Sequence, residues 1–179
     1  MDKPLIILIS GKARNGKDTA GKIIKAILET KGKKVLNLAY GDYVKVTAGR
    51  NNDWQGTKDE EDRTRLQDWG ENVRQIDPNL WTDIVIKFAE ALKNEYDYIV
   101  VTDCRHRNEI YRWHEFGYNT LTIHVSRKNF DNGLTEEQKK HPSEIGLDDY
   151  LFSSYVLAKD IDELHEKIEK YIIPLIENK

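Results

Sequence analysis

Between a five-residue apolar run and a helix-period segment the chain reads Gly11-Lys12-Ala13-Arg14-Asn15-Gly16-Lys17, the spacing G-x-x-x-x-G-K. No other stretch narrows the fold as far. Before it, Leu5-Ile6-Ile7-Leu8-Ile9 reads as a strand buried on both faces. After it, Ala20, Ile23, Ile24, Ile27 and Leu28 recur at the spacing of one helix face, and Gly32 is placed to end that helix. In this context the two glycines let backbone N–H groups turn inward around an anion, and the helix N-terminus adds partial positive charge. Lys17 is then expected to reach the outer phosphates of a nucleotide, with Gly11, Lys12, Ala13, Arg14, Asn15, Gly16, Asp18 and Thr19 forming the rest of the cradle. Position 18 departs from the usual pattern, in which a Ser or Thr hydroxyl meets Mg²⁺. Thr19 lies about 100° further round the helix and cannot substitute. Asp18 either binds the metal, directly or through water, or only complements the helix dipole. The sequence leaves both roles open.

Beyond the loop, strand and helix patterns alternate. Residues 35–39 read as a second strand ending at Tyr40-Gly41-Asp42, and the polar stretch 50–62 reads as an exposed loop. Leu66, Trp69, Val73 and Ile76 mark a helix, stopped by Asp77-Pro78. Asn79 is placed to cap the next, which carries Ile84, Val85, Phe88 and Leu92. Residues 98–102 form a third strand closing on Asp103, and a short helix over 108–116 follows. Residues 121–125 form a fourth strand, 154–158 a fifth, and Ile161, Leu164, Ile168, Tyr171 and Ile172 the last helix. Alternation of this kind predicts an α/β fold, a parallel sheet of five strands with helices on both faces. One domain over residues 1–179 is expected, with a substrate-binding helical part at about 41–95 and a short lid at about 126–144.

Composition excludes other classes. Lys and Arg number 28 against 31 Asp and Glu, a net charge of −3, which is no broad basic field for nucleic acid. The longest unbroken apolar run is far short of the roughly 20 residues a membrane span needs, and Met1-Asp2-Lys3-Pro4 lacks a signal-peptide layout. Cys104 is the only cysteine, so no internal disulfide or cysteine-rich zinc site is available. A reducing, cytoplasmic location is expected. The partners expected are small-molecule nucleotides, with no nucleic acid and no membrane; a homodimer is left open.

A phosphate loop names no substrate, and other segments must choose. Gly16-Lys17-Asp18-Thr19, Tyr40-Gly41-Asp42-Tyr43-Val44-Lys45, Leu66-Gln67-Asp68-Trp69-Gly70 with Arg74, Asp77-Pro78 and Trp81, Asp103-Cys104-Arg105 with Asn108-Glu109, and His141-Pro142-Ser143-Glu144 follow one another along the chain. In that order they resemble the bacteriophage-type deoxynucleoside monophosphate kinases, of the nucleoside monophosphate kinase group of P-loop kinases. The resemblance implies a three-layer P-loop NTPase fold, ATP and Mg²⁺ as co-substrates, and transfer of the γ-phosphoryl to a dNMP in the cytoplasm, that of the host if the chain is phage-encoded. Kinases of phosphomevalonate and of dephospho-coenzyme A share the loop and the D-x-R theme, and an AMP kinase or a regulatory nucleotide-binding protein stands as a further alternative.

The residues bear this chemistry on their own terms, because phosphoryl transfer rests on positioning and positive charge. Lys17, Arg105 and Arg127 are the catalytic candidates. Asp103, at a strand end, is a candidate for the Mg²⁺ shell beside Asp18, or a cap for the turn that follows it. On the helix through residue 70, Gln67, Gly70, Glu71 and Arg74 share a face away from Leu66, Trp69 and Val73. Arg74 is expected to grip the acceptor phosphate and Gln67 the base edge. A helix-interior glycine costs about 1 kcal/mol relative to alanine, so Gly70 signals that something approaches closely, here taken as the acceptor. Asp42, Lys45, Arg65, Asp103, Arg105 and Glu144 join the substrate site by resemblance. Asp53-Trp54-Gln55-Gly56 matches the D-x-x-G of GTPases, but no strand precedes it and no N-K-x-D follows. Trp54 reads as a local packing anchor, and Cys104 as a packed thiol.

Overall fold

The computed structural model describes residues 3–57 and 59–179; Met1 and Asp2 of the N-terminal stretch and residue 58 of the polar 50–62 stretch lie outside them. Five parallel strands, β1 (Leu5–Ser10), β2 (Val35–Leu38), β3 (Tyr98–Cys104), β4 (Thr120–Arg127) and β5 (Ser154–Ala158), form one sheet in the order β2-β3-β1-β4-β5. β1 lies at the centre, with Ile7 opposite Val100 of β3 and Leu121 of β4. Its unbroken apolar run now has its cause. Alternate side chains of a strand point to opposite faces, and both faces here are covered. Leu5, Ile7 and Ile9 join one core with Ala20, Ile24 and Leu28 of α1 (Lys17–Thr30) and with Leu164, Ile168 and Ile172 of the C-terminal helical segment. Ile6 and Leu8 join the other, with Val85, Ile86 and Ala89 of α4 (Leu80–Leu92) and Ile110 and Trp113 of α5 (Asn108–Glu115). The expected three-layer α/β architecture is the observed one. None of the helices described is long and apolar enough to cross a membrane.

Two helices depart from the sequence expectation. Residues 40–51, read as a strand end and the start of a loop, form α2 (Tyr40–Asn51). Two glycines and three β-branched residues make this stretch a weak helix former, and its N-terminal N–H groups are satisfied by a residue 63 positions away, Asp103. No local signal encodes that cap. α3 (Glu60–Ile76) begins six residues before its first apolar marker, because Asp59 caps it through Asp62 N–H at 2.8 Å. Asp62, 3% exposed, then accepts the backbone N–H groups of Gln55 (2.7 Å) and Thr57 (2.6 Å), so the polar connection between α2 and α3 is hydrogen-bonded internally.

The expected lid, 126–144, carries α6 (Glu136–Lys139), entered through a capping box of Thr135 and Gln138, and most of α7 (Pro142–Ile145), capped by His141. The C-terminal helix expected around 161–172 is α8 (Ile161–Lys167), a π-helical turn over Ile168–Ile172, and α9 (Ile173–Glu177). The widened turn precedes Pro174, which has no N–H with which to continue the ladder.

Candidate active site

At the carboxyl end of β1 the chain turns into the loop that leads to α1. Gly11 has φ +145°, and a Cβ there would sit 2.1 Å from the Val125 carbonyl oxygen, so only glycine lets the loop pass β4. Gly16 has φ +91°, and Arg14 holds a positive φ of 62°. Asn15 locks the loop to the sheet: its amide donates to the Ala13 carbonyl (3.1 Å) and accepts from Arg127 N–H (2.8 Å). Lys17 is buried, and its ammonium donates to the Lys12 carbonyl at 2.9 Å. Burial, with Arg105 nearby, lowers its pKa to about 8. The loop already holds an anion. Ala13 N–H donates to Glu144 Oε2 at 2.9 Å, so a carboxylate from α7 is bound to a backbone donor of the loop.

Beside the loop, α2, α3, the end of β3 and residues 141–144 line a cavity of about 780 Å³, within the range of small-ligand sites. Of the expected residues, Ala13, Arg14, Lys17 and Asp18 line it from the loop side. Asp42, Lys45, Gln67, Gly70 and Arg74 line it from α2 and α3, and Asp103, Arg105 and Glu144 from the β3 end and α7. Gly11 and Lys12 face a smaller hollow with His124 and Asp148. Asn15, Gly16 and Thr19 lie outside both walls.

Three expectations are corrected. Arg65 turns away from the cavity, to Glu61 (2.5 Å) and the Asp53 carbonyl (3.3 Å), because it sits about 200° round α3 from Gln67, which lines the cavity. Arg127 is exposed and stacks on Phe130, 3.9 Å from the ring centre; only its backbone meets the loop. Gly70 lines the cavity, but what presses on it is protein: an added Cβ would meet Val44 and Arg74 at 3.4 Å, and its carbonyl accepts from Trp81 Nε1–H (3.1 Å).

The two candidate metal carboxylates are differently engaged. Asp18 Oδ1 accepts from the Thr102 hydroxyl at 2.8 Å while its side chain stays exposed to the cavity. Asp103 caps α2 with both oxygens, accepting Tyr40 N–H (2.9 Å) and Gly41 N–H (2.7 Å). Burial and the neighbouring Glu109 raise its pKa to about 6. No group of three or more His, Cys, Asp or Glu that could hold a metal occurs among the described residues.

Two further residues carry weight in the site. Arg63, one turn before Gln67 on the same face of α3, lines the cavity half-buried, with its Nε buried and without a hydrogen-bond partner. Its spacing to Gln67, Gly70 and Arg74 was the available signal. Glu109, 1% exposed, accepts Arg74 Nη2–H at 3.0 Å with one oxygen, and Arg105 N–H (2.6 Å) and His106 N–H (3.0 Å) with the other. It thereby fixes two cavity cations relative to each other.

An anion-binding loop between β1 and α1, beside a cation-lined cavity at the carboxyl edge of a parallel sheet, defines a P-loop kinase. Residues 9–119, more than half of the chain, match the model of the phosphomevalonate kinase family, and the chain belongs to that family. Among solved structures, a variant of the APS kinase CysC from Mycobacterium tuberculosis aligns at TM-score 0.53 and 14% identity, covering 99% of both chains. A Thermus thermophilus protein, TT1252, aligns at 0.55 and 16%, covering 97% of this chain and 98% of its own. A sugar kinase from Janibacter sp. HTCC2649 aligns at 0.51 and 11%, covering 97% and 98%. At these identities the likeness is one of fold. No curated protein matches the chain.

Proposed function

We propose that the chain transfers the γ-phosphoryl of ATP to a deoxynucleoside monophosphate, giving a dNDP and ADP. The observation that carries this reading is the second set of cations. Besides Lys17, three arginines, Arg63, Arg74 and Arg105, line the cavity, and an acceptor that is itself a phosphate needs such a set. A phosphomonoester is largely dianionic at neutral pH, so the step requires no general base, and none of the cavity residues has to serve as one. Val44, Leu66 and Trp54 add apolar lining to the cavity that also holds Gln67, a combination suited to a base with a hydrogen-bonding edge.

ATP fits the loop on the evidence of its own amide, which donates to a carboxylate oxygen. For Mg²⁺, Asp18 is the exposed carboxylate and Asp103 the half-buried one. Since no protein cage of three acidic or imidazole ligands is present among the described residues, phosphates and waters would complete its shell, which is the usual habit of this ion. Bound there, the ion would neutralise charge on the β- and γ-phosphates. Lys17 and Arg105 do the same from the protein side, and the lid keeps water, the competing acceptor, away.

The second reading follows from the family: phosphomevalonate as acceptor, with the same cations on its phosphate and no base to place against Trp54. ADP release with each of the four dNMPs, AMP, phosphomevalonate and dephospho-coenzyme A separates the two. Turnover with at least one dNMP well above that with the others supports the proposal. Turnover confined to phosphomevalonate replaces it, and no turnover with any dNMP overturns it.

A further inference from the structure

Glu144 is 5% exposed and lies at the centre of the transfer site. Its Oε2 accepts Ala13 N–H (2.9 Å), its Oε1 accepts Arg105 Nη1–H (2.5 Å), and Arg63 Nη2 stands 3.9 Å from the same oxygen. Arg63 makes no closer polar contact among the described residues, and its Nε is buried without a partner. One carboxylate thus faces the Arg63 and Arg105 guanidinium groups as well as the Lys17 ammonium, and Arg63 is held at a distance at which neither of its edges is used. We infer that Glu144 stands in for a substrate phosphate, and that Arg63 is a phosphate-binding residue of the transfer site whose donors are taken up when that phosphate replaces the carboxylate.

The charges agree with this assignment. Burial raises the pKa of Glu144, but Arg105, the Ala13 N–H and Lys17 outweigh it, so the carboxyl stays ionised well into acid. Burial, and then Arg105 and Arg14, work against the charge of Arg63, and Glu144 alone of its neighbours favours it. A phosphate carries up to twice the charge of a carboxylate and offers more acceptor oxygens, so it can satisfy Ala13 N–H, Arg105 and Arg63 together. Lys12, whose ammonium bonds the Glu144 carbonyl (2.5 Å) and the Asp148 carboxylate, ties α7 to the loop. Both Lys12 bonds are independent of the Glu144 carboxylate, so they can hold α7 to the loop when the side chain gives way to an anion.

The inference rests on the cavity being a phosphoryl-transfer site, but not on the identity of the acceptor, so it is tested without one. Calorimetric titration of the intact protein with tripolyphosphate reports the donor side, and titration with inorganic phosphate the acceptor side. Arg63→Gln should weaken binding in at least one arm by about tenfold or more, as expected for a lost bond to a charged oxygen, and Arg63→Lys by less. Glu144→Gln should tighten binding several-fold, because a neutral amide competes less well for the cations. Lys33→Gln, which removes a charge beyond the far end of α1, should leave both arms unchanged. Circular dichroism of each variant confirms the fold. Wild-type affinity of a folded Arg63→Gln in both arms, or unchanged or weaker binding by a folded Glu144→Gln, overturns the inference whether or not any dNMP is turned over.

Discussion

Arg74→Ala reaches both the stability of the protein and its acceptor site, and the structure separates the two effects. Arg74 Nη2–H bonds the Glu109 carboxylate at 3.0 Å, with the Arg74 side chain 17% exposed and that of Glu109 2%. Removing one member of a buried pair costs about 3–5 kcal/mol. Glu109 keeps two backbone N–H donors, and Arg74 is not fully desolvated, so about 2–4 kcal/mol is expected here. For a domain of this size that is a fall in Tm of about 5–15 °C. The loss should depend on pH. Burial already holds the Glu109 pKa above the usual carboxylate value, with Arg74 pulling it down. A carboxyl whose folded pKa is raised binds its proton more tightly when folded, so the cost of its charge is present above the folded pKa and relieved as pH falls through it. Without Arg74 that pKa rises further. The difference between variant and wild type should therefore be larger at pH 8 than at pH 5.5, read from urea unfolding at both. Kinetics well below the variant's Tm should then show KM for the acceptor raised far more than KM for ATP. An unchanged Tm, or a loss of equal size at the two pH values, would refute the account of the pair; equal effects on the two KM values would refute the acceptor role of Arg74.

Three other perturbations have defined outcomes. Lys17, with its pKa near 8, is charged below that pH and neutral above it. kcat/KM for ATP should fall as pH rises through about 8, Lys17→Arg should move that fall to higher pH, and Lys17→Ala should lower kcat by about 10²–10³-fold or more with the fold intact. Asp18→Asn should raise the Mg²⁺ concentration giving half-maximal rate, since this is the exposed carboxylate beside the loop; an unchanged Mg²⁺ titration would leave it only the helix-dipole role and the bond to Thr102. Gly41→Ala would set a Cβ 2.9 Å from Asp103 Oδ2, against a carboxylate fixed by two backbone bonds, and should destabilise by about 1–3 kcal/mol in urea unfolding.

The sheet was legible because its signals are local. Strands β1 and β3 are apolar runs, β4 places Leu121, Ile123 and Val125 at alternate positions, and α1 carries a continuous face; a core on each side of the sheet requires such patterns. α2 was not legible, because its cap is Asp103, on a strand that enters the sheet only after two further helices. A capping residue is recognised in sequence when it precedes its helix, and here it does not. Gly70 illustrates the converse. The sequence signal was sound, since something does approach that backbone, but whether a ligand or Val44 does so depends on α2, the element the pattern had not revealed.

The site was legible where chemistry and helix geometry coincide and obscure where they do not. A linear motif placed Arg65 beside Leu66-Gln67, yet a helix presents its residues cyclically. From Arg63 the steps to Gln67, Gly70 and Arg74 are four, three and four residues, a single stripe along α3. Arg65 lies two residues off that stripe, and the structure accordingly turns it toward Glu61. Glu144 entered the site only through the resemblance of His141-Pro142-Ser143-Glu144, with no helix spacing behind it. It meets the loop at Ala13, 131 residues away, and no pattern in the sequence reports that a carboxylate, with two arginines and a lysine around it, fills the place of a phosphate. That arrangement is a property of the closed cavity, and it exists only once α3, the β3 end and α7 have been brought to the same side of the loop.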